Sequence, residues 1–288
     1  MRFQICINLN KKYGKQLSLQ VNKHHNISKE QEQAQVELLK ALTATDPRQA
    51  LTSLKESGQL ALLIPEMEKA YDMCQQTRHH DGTVWEHTLR VVEKVPNKPL
   101  LRLTALLHDI GKVETKTIDE NGVGHFYKHE QVGADMAGEI MWRLGFSHAD
   151  IDYAQTLIEE HMRLKCFADF KFTNKRLRKL KWDVGDELLD DLLELCHADS
   201  CSCAPASQCP DLVPQLREAL AVFQDEPSKL VLPVNGNDIM QIFGIEPGPK
   251  VKEYLTMVED MVLENPEIGS SEIFNFLQKH KNDGTHGS

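Results

Sequence analysis

Residues 100–112 form an apolar stretch that ends in charged groups: Leu-Leu-Arg-Leu-Thr-Ala-Leu-Leu-His-Asp-Ile-Gly-Lys. Its apolar residues recur at spacings of three and four, which predicts a helix with one buried side. The last turn carries His108 and Asp109, Gly111 ends the helix, and Lys112 follows. An imidazole, a carboxylate and an amine at one helix end indicate a site for a metal and a phosphate. A His-Asp pair is nevertheless expected roughly once by chance, so the interpretation depends on partners elsewhere.

The composition is that of a chain able to bury a full core in one large domain or two: 288 residues, 41% of them hydrophobic. No apolar run approaches the roughly 18 residues of a membrane span, and the start lacks the segments of a signal peptide, so we expect a cytoplasmic protein. The net charge of -10 disfavours general attraction to nucleic acid or to anionic lipid. Seven cysteines without signs of secretion favour free thiols over a disulfide framework.

The predicted fold class is mainly α with a small N-terminal β-hairpin. Alternating apolar residues between Phe3 and Val21 predict the hairpin, and helical signals dominate from Ser28 onward. Thr83 and Ser147 are expected to be helix N-caps. The predicted division is residues 1–27 (hairpin and connector), 28–76 (a helical segment), 77–225 (the domain with the site), 226–281 (a C-terminal helical segment) and 282–288 (a disordered tail).

Further side chains could complete a site around His108 and Asp109. Each lies at an end of a predicted helix or within one turn of it: His87, His129, His161 and Asp199. Taken singly, each histidine is more often an ordinary surface or core residue, but the ordered set favours ligands. Six nitrogen and oxygen ligands suit a two-metal site in a helical bundle, and imidazoles favour iron, manganese, nickel or zinc.

In this order, the six residues resemble the HD superfamily of metal-dependent phosphohydrolases, in the version that holds two metals. Val84-Trp85-Glu86-His87-Thr88-Leu89, the stretch 100–112, and His129-Glu130 with Gly133-Ala134 are similar to the HD half of bacterial tRNA nucleotidyltransferases and poly(A) polymerases. The resemblance implies an HD-type helical bundle. Nothing ahead of Ser28 resembles the Gly-Ser pair and Asp-x-Asp of the nucleotidyltransferase head, so we expect a stand-alone HD half that does not add CCA.

The resemblance also implies roles for the site residues. The expected metal ligands are Asp109 as the bridge between two ions, His87, His108 and Asp199 on the first ion, and His129 and His161 on the second. One or two divalent ions are expected: iron, manganese, nickel or zinc, with magnesium as an alternative. Should His129 or His161 point away, one ion remains. A water between the ions would lose its proton near neutral pH and attack phosphorus.

Lys112 and Arg163 directly follow predicted ligand helices, and both are expected to bind phosphoryl oxygens during catalysis. The alternative is that both are solvated residues interacting with a helix dipole. His79 and His80 either line the substrate pocket or are ordinary loop residues.

A basic run with interleaved aromatic residues lies in this otherwise acidic chain. Its candidate RNA contacts are Lys175, Arg176, Arg178 and Lys179. A solvated amphipathic helix is the favoured alternative. A structural zinc site is not predicted from the cysteine cluster, because its spacing matches such sites poorly: Cys196, Cys201, Cys203 and Cys209.

The leading hypothesis is a metal-dependent phosphohydrolase acting on nucleotides or RNA ends, with 2′,3′-cyclic phosphodiesters and phosphomonoesters as the substrates that the resemblance implies. The alternative is a non-catalytic module that binds tRNA, another RNA, or a partner bearing the missing nucleotidyltransferase head. Hydrolysis of nucleoside triphosphates or alarmones is a third option. The sequence leaves open the substrate, the metal, and whether the protein forms a homo-oligomer.

Overall fold

The computed structural model describes the following stretches of the chain: residues 6–7, 19–20, 29–77, 82–167, 172–203, 211–223, 225–226 and 231–284. The mainly helical class with a small N-terminal hairpin is confirmed, since strand β1 (Cys6–Ile7) pairs antiparallel with β2 (Leu19–Gln20). The predicted pocket residues His79 and His80 lie outside the described residues, as does Cys209.

Helices account for most of the described residues. They are α1 (Lys29–Leu42), α2 (Pro47–Glu56), α3 (Gln59–Leu63), α4 (Glu68–Tyr71), α5 (Val84–Lys94), α6 (Pro99–Leu107), α7 (Lys112–Thr115), α8 (His129–Arg143), α9 (His148–Glu160), α10 (Asn174–Val184), α11 (Asp186–Ser200), α12 (Val213–Ala221), α13 (Gly236–Phe243), α14 (Pro249–Glu264) and α15 (Ser270–Gly284). Strands β3 (Lys116–Ile118) and β4 (Gly124–Phe126) form a second antiparallel pair. Within the described ranges, no helix combines the length and the apolar character needed to cross a lipid bilayer.

The chain folds into two compact units. One consists of residues 1–169 with 188–214, and the other of residues 170–187 with 215–288. The five-segment division based on the sequence stays a prediction.

The core of the first unit lies between its longer helices. Helix α5 packs against α2 and α6, α6 also contacts α1 and α9, and α8 lies along α9. Fully buried leucines fill these contacts, among them Leu38, Leu42, Leu103, Leu107 and Leu157. Burying one such side chain stabilises the fold by about 1.5–3 kcal/mol. Packing therefore fixes the helix ends from which the site side chains project.

Side-chain caps set the start of two helices in this unit. The Thr83 hydroxyl accepts a hydrogen bond from the Glu86 N–H, and the Glu86 carboxylate accepts one from the Thr83 N–H, at the start of α5. Ser147 and Asp150 form the same capping box at the start of α9. Both predicted N-caps are confirmed. The first of them fixes the start of α5, on which His87 lies buried about one turn in.

Helix α6 ends earlier than the sequence predicts. It stops at Leu107, and residues 108–111 form a tight turn before α7. A Cβ atom on Gly111 would overlap the carbonyl oxygen of His129 and would lie 2.5 Å from the backbone nitrogen of Gly133. The turn thus lies directly against the backbone of α8, and this contact between helices explains the early end.

The end of α9 also differs from the prediction. The sequence places His161 in the last turn of the helix that Ser147 caps, but α9 ends at Glu160. His161 instead begins a 3-10 segment, His161–Phe167. The backbone is wound more tightly in this segment than in an α-helix. The His161 side chain is nevertheless buried.

The second unit has an apolar core of its own. Its buried residues come from α13, α14, α15 and the chain before α13: Val234, Ile239, Ile242, Val258, Val262, Ile273 and Leu277. Asn235 and Asp238 form a capping box at the start of α13. Helix α10 packs against α14 in this unit.

Candidate metal centre

The six predicted ligand side chains lie together in the interior of the first unit. All six are buried, and they come from five places in the fold: His87 from α5, His108 and Asp109 from the turn after α6, His129 from the start of α8, His161 from the start of the 3-10 segment after α9, and Asp199 from α11. Their convergence depends on the ends of five helices meeting at one point of the core.

Asp109 stands at the centre, and each of its carboxylate oxygens faces two histidines. The Oδ2 atom lies 3.3 Å from Nε2 of His108 and 3.5 Å from Nε2 of His87. The Oδ1 atom lies 3.3 Å from Nε2 of His129 and 3.9 Å from Nε2 of His161. Two groups of potential metal ligands therefore share this one carboxylate.

These separations suit donor atoms that surround metal ions. Donors about 2.1 Å from one ion, at angles of about 90–110°, lie about 3.0–3.4 Å from one another. The Asp199 Oδ1 atom, 3.0 Å from Nε2 of His87, adds a donor to the group around Oδ2 of Asp109. Small movements of the side chains would bring every donor into range.

Backbone carbonyl groups orient three of the imidazoles. The Nδ1 atoms of His108, His129 and His161 each lie 2.6–2.8 Å from a carbonyl oxygen three residues earlier. Because a carbonyl oxygen only accepts hydrogen bonds, each Nδ1 must carry the proton, which leaves a lone pair on Nε2. In metal-binding histidines, the ring nitrogen that does not bind the metal typically donates a hydrogen bond in this way.

The surroundings of three Nε2 atoms test whether a metal ion fits this group: those of His108, His129 and His161. All three are buried and make no hydrogen bond within the described residues. Buried polar atoms without a partner are rare because they cost free energy. A cation among these lone pairs would satisfy them, so the residues present fit a divalent metal.

Burial keeps two of the four imidazoles in the neutral form that can bind a metal. Burial lowers the pKa of His161 to about 3, with His108 and His129 acting in the same direction. Burial likewise lowers the pKa of His87. Both imidazoles are therefore neutral near neutral pH.

The carboxylate of Asp109 is ionised. Burial alone would raise its pKa, but Lys112 and His108 hold the pKa of Asp109 well below its usual value. Burial would also lower the pKa of His108, but the charge of Asp109 raises it instead. The interior thus favours a cation beside Asp109, which is the condition for metal binding.

Lys112 contacts the central carboxylate. Its Nζ atom donates to Oδ2 of Asp109 at 2.6 Å and to Oε1 of Gln75 at 2.8 Å. The sequence analysis did not identify Gln75, because a glutamine 37 residues before the lysine carries no local signal. Arg163 donates to the Glu160 carboxylate at 2.7 Å. The expected phosphate-binding roles of Lys112 and Arg163 stay proposals.

In the second unit, several residues of the basic run form ion pairs. Arg178 binds the carboxylate of Glu226, Lys175 lies 3.0 Å from Asp260, and Lys179 binds both Glu259 and Asp183. Arg176 is likewise not without an interaction partner. These carboxylates reduce the local positive charge of α10, and RNA contacts on this helix stay a prediction.

Comparison with known proteins identifies the region that holds the six residues. Residues 77–202 match the family model described as the HD domain. The chain is 29% identical over 235 residues to the A-adding tRNA nucleotidyltransferase of Deinococcus radiodurans, a match that covers 78% of this chain and 52% of that protein. It is 30% identical over 254 residues to the CC-adding tRNA nucleotidyltransferase of Thermus thermophilus, covering 84% and 54%.

A shorter match relates the chain to a second class of protein. It is 30% identical over 145 residues to the bifunctional uridylyltransferase/uridylyl-removing enzyme of Ruegeria pomeroyi, covering 43% of this chain and 15% of that enzyme. The chain spans about half the length of the two tRNA nucleotidyltransferases that it matches.

Proposed function

Because this chain contains an HD domain and is homologous to the HD region of tRNA nucleotidyltransferases, we propose that it is a metal-dependent phosphohydrolase. Its proposed substrates are phosphoesters of nucleotides or RNA ends, in particular 2′,3′-cyclic phosphodiesters and phosphomonoesters. The observation that carries the proposal is the position of Asp109, whose two oxygens each face the Nε2 atoms of two histidines.

We assign the ligands by this geometry. Asp109 would bridge two divalent transition-metal ions, with His87, His108 and Asp199 on its Oδ2 side and His129 and His161 on its Oδ1 side. When bound, such ions lower the pKa of a coordinated water and polarise phosphoryl oxygens. The protein residues supply lone pairs, two carboxylate charges and a site from which bulk water is excluded.

The ammonium of Lys112 would hold both the carboxylate and the substrate. A lysine ammonium has three N–H donors, and two of these are used by Asp109 and Gln75. The third can donate to a phosphoryl oxygen. The guanidinium of Arg163, in the 3-10 segment that follows α9, would bind a second phosphoryl oxygen.

The relatives support the choice of substrate class. Two of them are named for acting on tRNA, and the third is named in part for removing a uridylyl group, which requires cleavage of a bond to phosphorus. We therefore propose the end of an RNA, including tRNA, as the first substrate to test. A non-catalytic module that binds tRNA is the alternative.

The proposal is tested by measuring metal content together with a substrate panel. The panel contains 2′,3′-cyclic nucleotides, nucleoside monophosphates, RNA with each kind of phosphorylated end, nucleoside triphosphates and an alarmone. The Asp109→Ala variant is expected to lose its bound metal and about 10²–10³-fold or more of its turnover, because it removes the shared ligand.

The control is His148→Gln, which changes a histidine of the same unit outside the six-residue group, and it should keep both metal and turnover. Metal-free tRNA binding that survives Asp109→Ala, with no turnover of any substrate by the wild type, would support the non-catalytic alternative. Turnover of the triphosphate or the alarmone alone would contradict the proposed substrate class and would support the proposed catalytic site.

A further inference from the structure

The outer side of α11 carries a second set of potential ligands. His197 and Cys201 lie one helical turn apart and are exposed, whereas Asp199 between them is buried. Their side chains meet that of Asp211, which precedes α12, and one donor atom from each residue lies within 4.8 Å of the others. An imidazole, a thiol and a carboxylate from two separate segments thus converge at the surface.

The Nδ1 atom of His197 lies at the centre of this set. It is 2.7 Å from Oδ2 of Asp211 and 3.8 Å from Sγ of Cys201. The Asp211 carboxylate is held in place, because its Oδ1 atom accepts a hydrogen bond from the Val213 N–H at 3.1 Å. Zinc binds sulfur at about 2.3 Å and nitrogen or oxygen at about 2.0–2.2 Å, so its sulfur and nitrogen ligands lie about 3.1–3.6 Å apart. The distance of 3.8 Å between Nδ1 of His197 and Sγ of Cys201 lies a few tenths of an ångström outside this range, and all three donor atoms lie within 4.8 Å of one another.

The buried cysteines of this segment have other contacts. The Cys196 thiol donates to the carbonyl oxygen of His161 at 3.3 Å, and the Cys203 thiol donates to that of Asp199 at 3.6 Å. The set formed by His197, Cys201 and Asp211 therefore differs from the four-cysteine arrangement that the spacing of the sequence disfavours.

We propose that His197, Cys201 and Asp211 bind a transition-metal ion of the zinc class on the outer face of α11. One nitrogen, one sulfur and one oxygen ligand suit such a borderline-soft ion, and water would complete its coordination. On binding, the thiol proton passes to solvent, and the imidazole proton moves from Nδ1 to Nε2, so the thiolate and Nδ1 each donate a lone pair.

The ion would connect the C-terminal turn of α11 to the segment that begins at Asp211. The proposed ligand His197 lies two residues before Asp199. The surface ion would therefore stabilise the end of α11 that carries Asp199, one of the proposed buried ligands. This inference does not depend on the proposed phosphohydrolase activity, because none of its three ligands belongs to the buried group.

Cobalt(II) is the probe that separates the two sites. A cobalt ion bound to a thiolate shows sulfur-to-metal charge-transfer absorption, and the six buried ligands include no sulfur. The wild type titrated with cobalt is expected to show this band, and Cys201→Ser to lose it. The Cys74→Ser variant is the matched control, because Cys74 is also an exposed free cysteine and lies outside the set. It should keep the band.

His197→Gln and Asp211→Asn are expected to weaken cobalt binding at this site by about 10-fold or more. The band should persist in Asp109→Ala, which separates a failure of this site from a failure of the buried one. Zinc analysis should find one ion per chain more in the wild type than in Cys201→Ser. Absence of the band in the wild type, or its persistence in Cys201→Ser, would overturn the proposal. Unchanged affinity in both His197→Gln and Asp211→Asn would overturn it as well.

Discussion

Gly111 shows how one residue sets the spacing of the buried ligand group. Its φ of −63° is ordinary, so the requirement for glycine is one of space. The backbone of α8 at His129 and Gly133 occupies the volume that a Cβ atom would need. Since Asp109 is two residues before Gly111 and His129 is the first residue of α8, this contact sets the distance between the two.

Gly111→Ala is expected to lower the free energy of unfolding by about 1–3 kcal/mol, because overpacking forces the backbones apart. It should also reduce the amount of divalent metal bound at the proposed buried site, since His129 moves away from Asp109. Urea denaturation and metal analysis measure the two effects. Gly269→Ala is the control, because its Cβ would meet nothing within 4 Å. Equal behaviour of the two variants would contradict this account of the turn.

Among the elements, α11 is held in place by a buried carboxylate. Asp191 accepts hydrogen bonds from Lys98 Nζ at 2.6 Å and from the Tyr153 hydroxyl at 2.7 Å, which connects α11 to the start of α6 and to α9. Burial and the charge of Asp191 raise the pKa of Tyr153, so the phenol stays protonated and donates. Asp199 follows about two helical turns later, so these contacts set its position.

Tyr153→Phe is expected to cost about 1.5–3 kcal/mol of unfolding free energy, because it removes a hydrogen bond to a buried charged acceptor. Thermal and urea denaturation measure the loss. Tyr71→Phe is the matched control, since the buried Tyr71 hydroxyl makes no hydrogen bond within the described residues. A similar loss in both variants would mean that the bond to Asp191 does not hold α11.

For the molecule as a whole, stability should depend on pH through carboxylates bound by arginine. Burial acts to raise the pKa of Glu66, but Arg143, which donates to both of its oxygens at 2.9 and 2.8 Å, lowers it overall. Hydrogen bonds from Arg178 lower the pKa of Glu226. A lowered folded-state pKa adds stability above the unfolded value of about 4.3, and this stability is lost as the pH falls through the folded value.

Glu66→Gln and Glu226→Gln are each expected to lower the unfolding free energy at neutral pH by about 0.2–1 kcal/mol, a small effect because these ion pairs are partly exposed. The difference from the wild type should shrink as the pH falls below the unfolded value of about 4.3, because the carboxylates then become protonated. Urea denaturation across this pH range measures both effects. Glu253→Gln, at an exposed position, is the control. A difference that does not change with pH would contradict the role of the carboxylate charge.

The sequence by itself determined the helical class, the caps at Thr83 and Ser147, and the order of the six residues that we propose as metal ligands. The helical class and the caps depend on periodicity and on side chains three residues apart, which are local interactions. The order of the six residues was identified from its resemblance to the HD superfamily. The positions of these residues along the chain can be identified without a structure.

Only the tertiary structure decided which histidines face each oxygen of Asp109, that Lys112 binds Gln75, and that basic residues of α10 are paired with carboxylates. It also brought Asp211 to His197 and Cys201. These contacts join residues that are distant in the sequence, and they form only when packed helices bring their ends together. The propensity of a short segment for helix or turn does not indicate which distant residues it will contact.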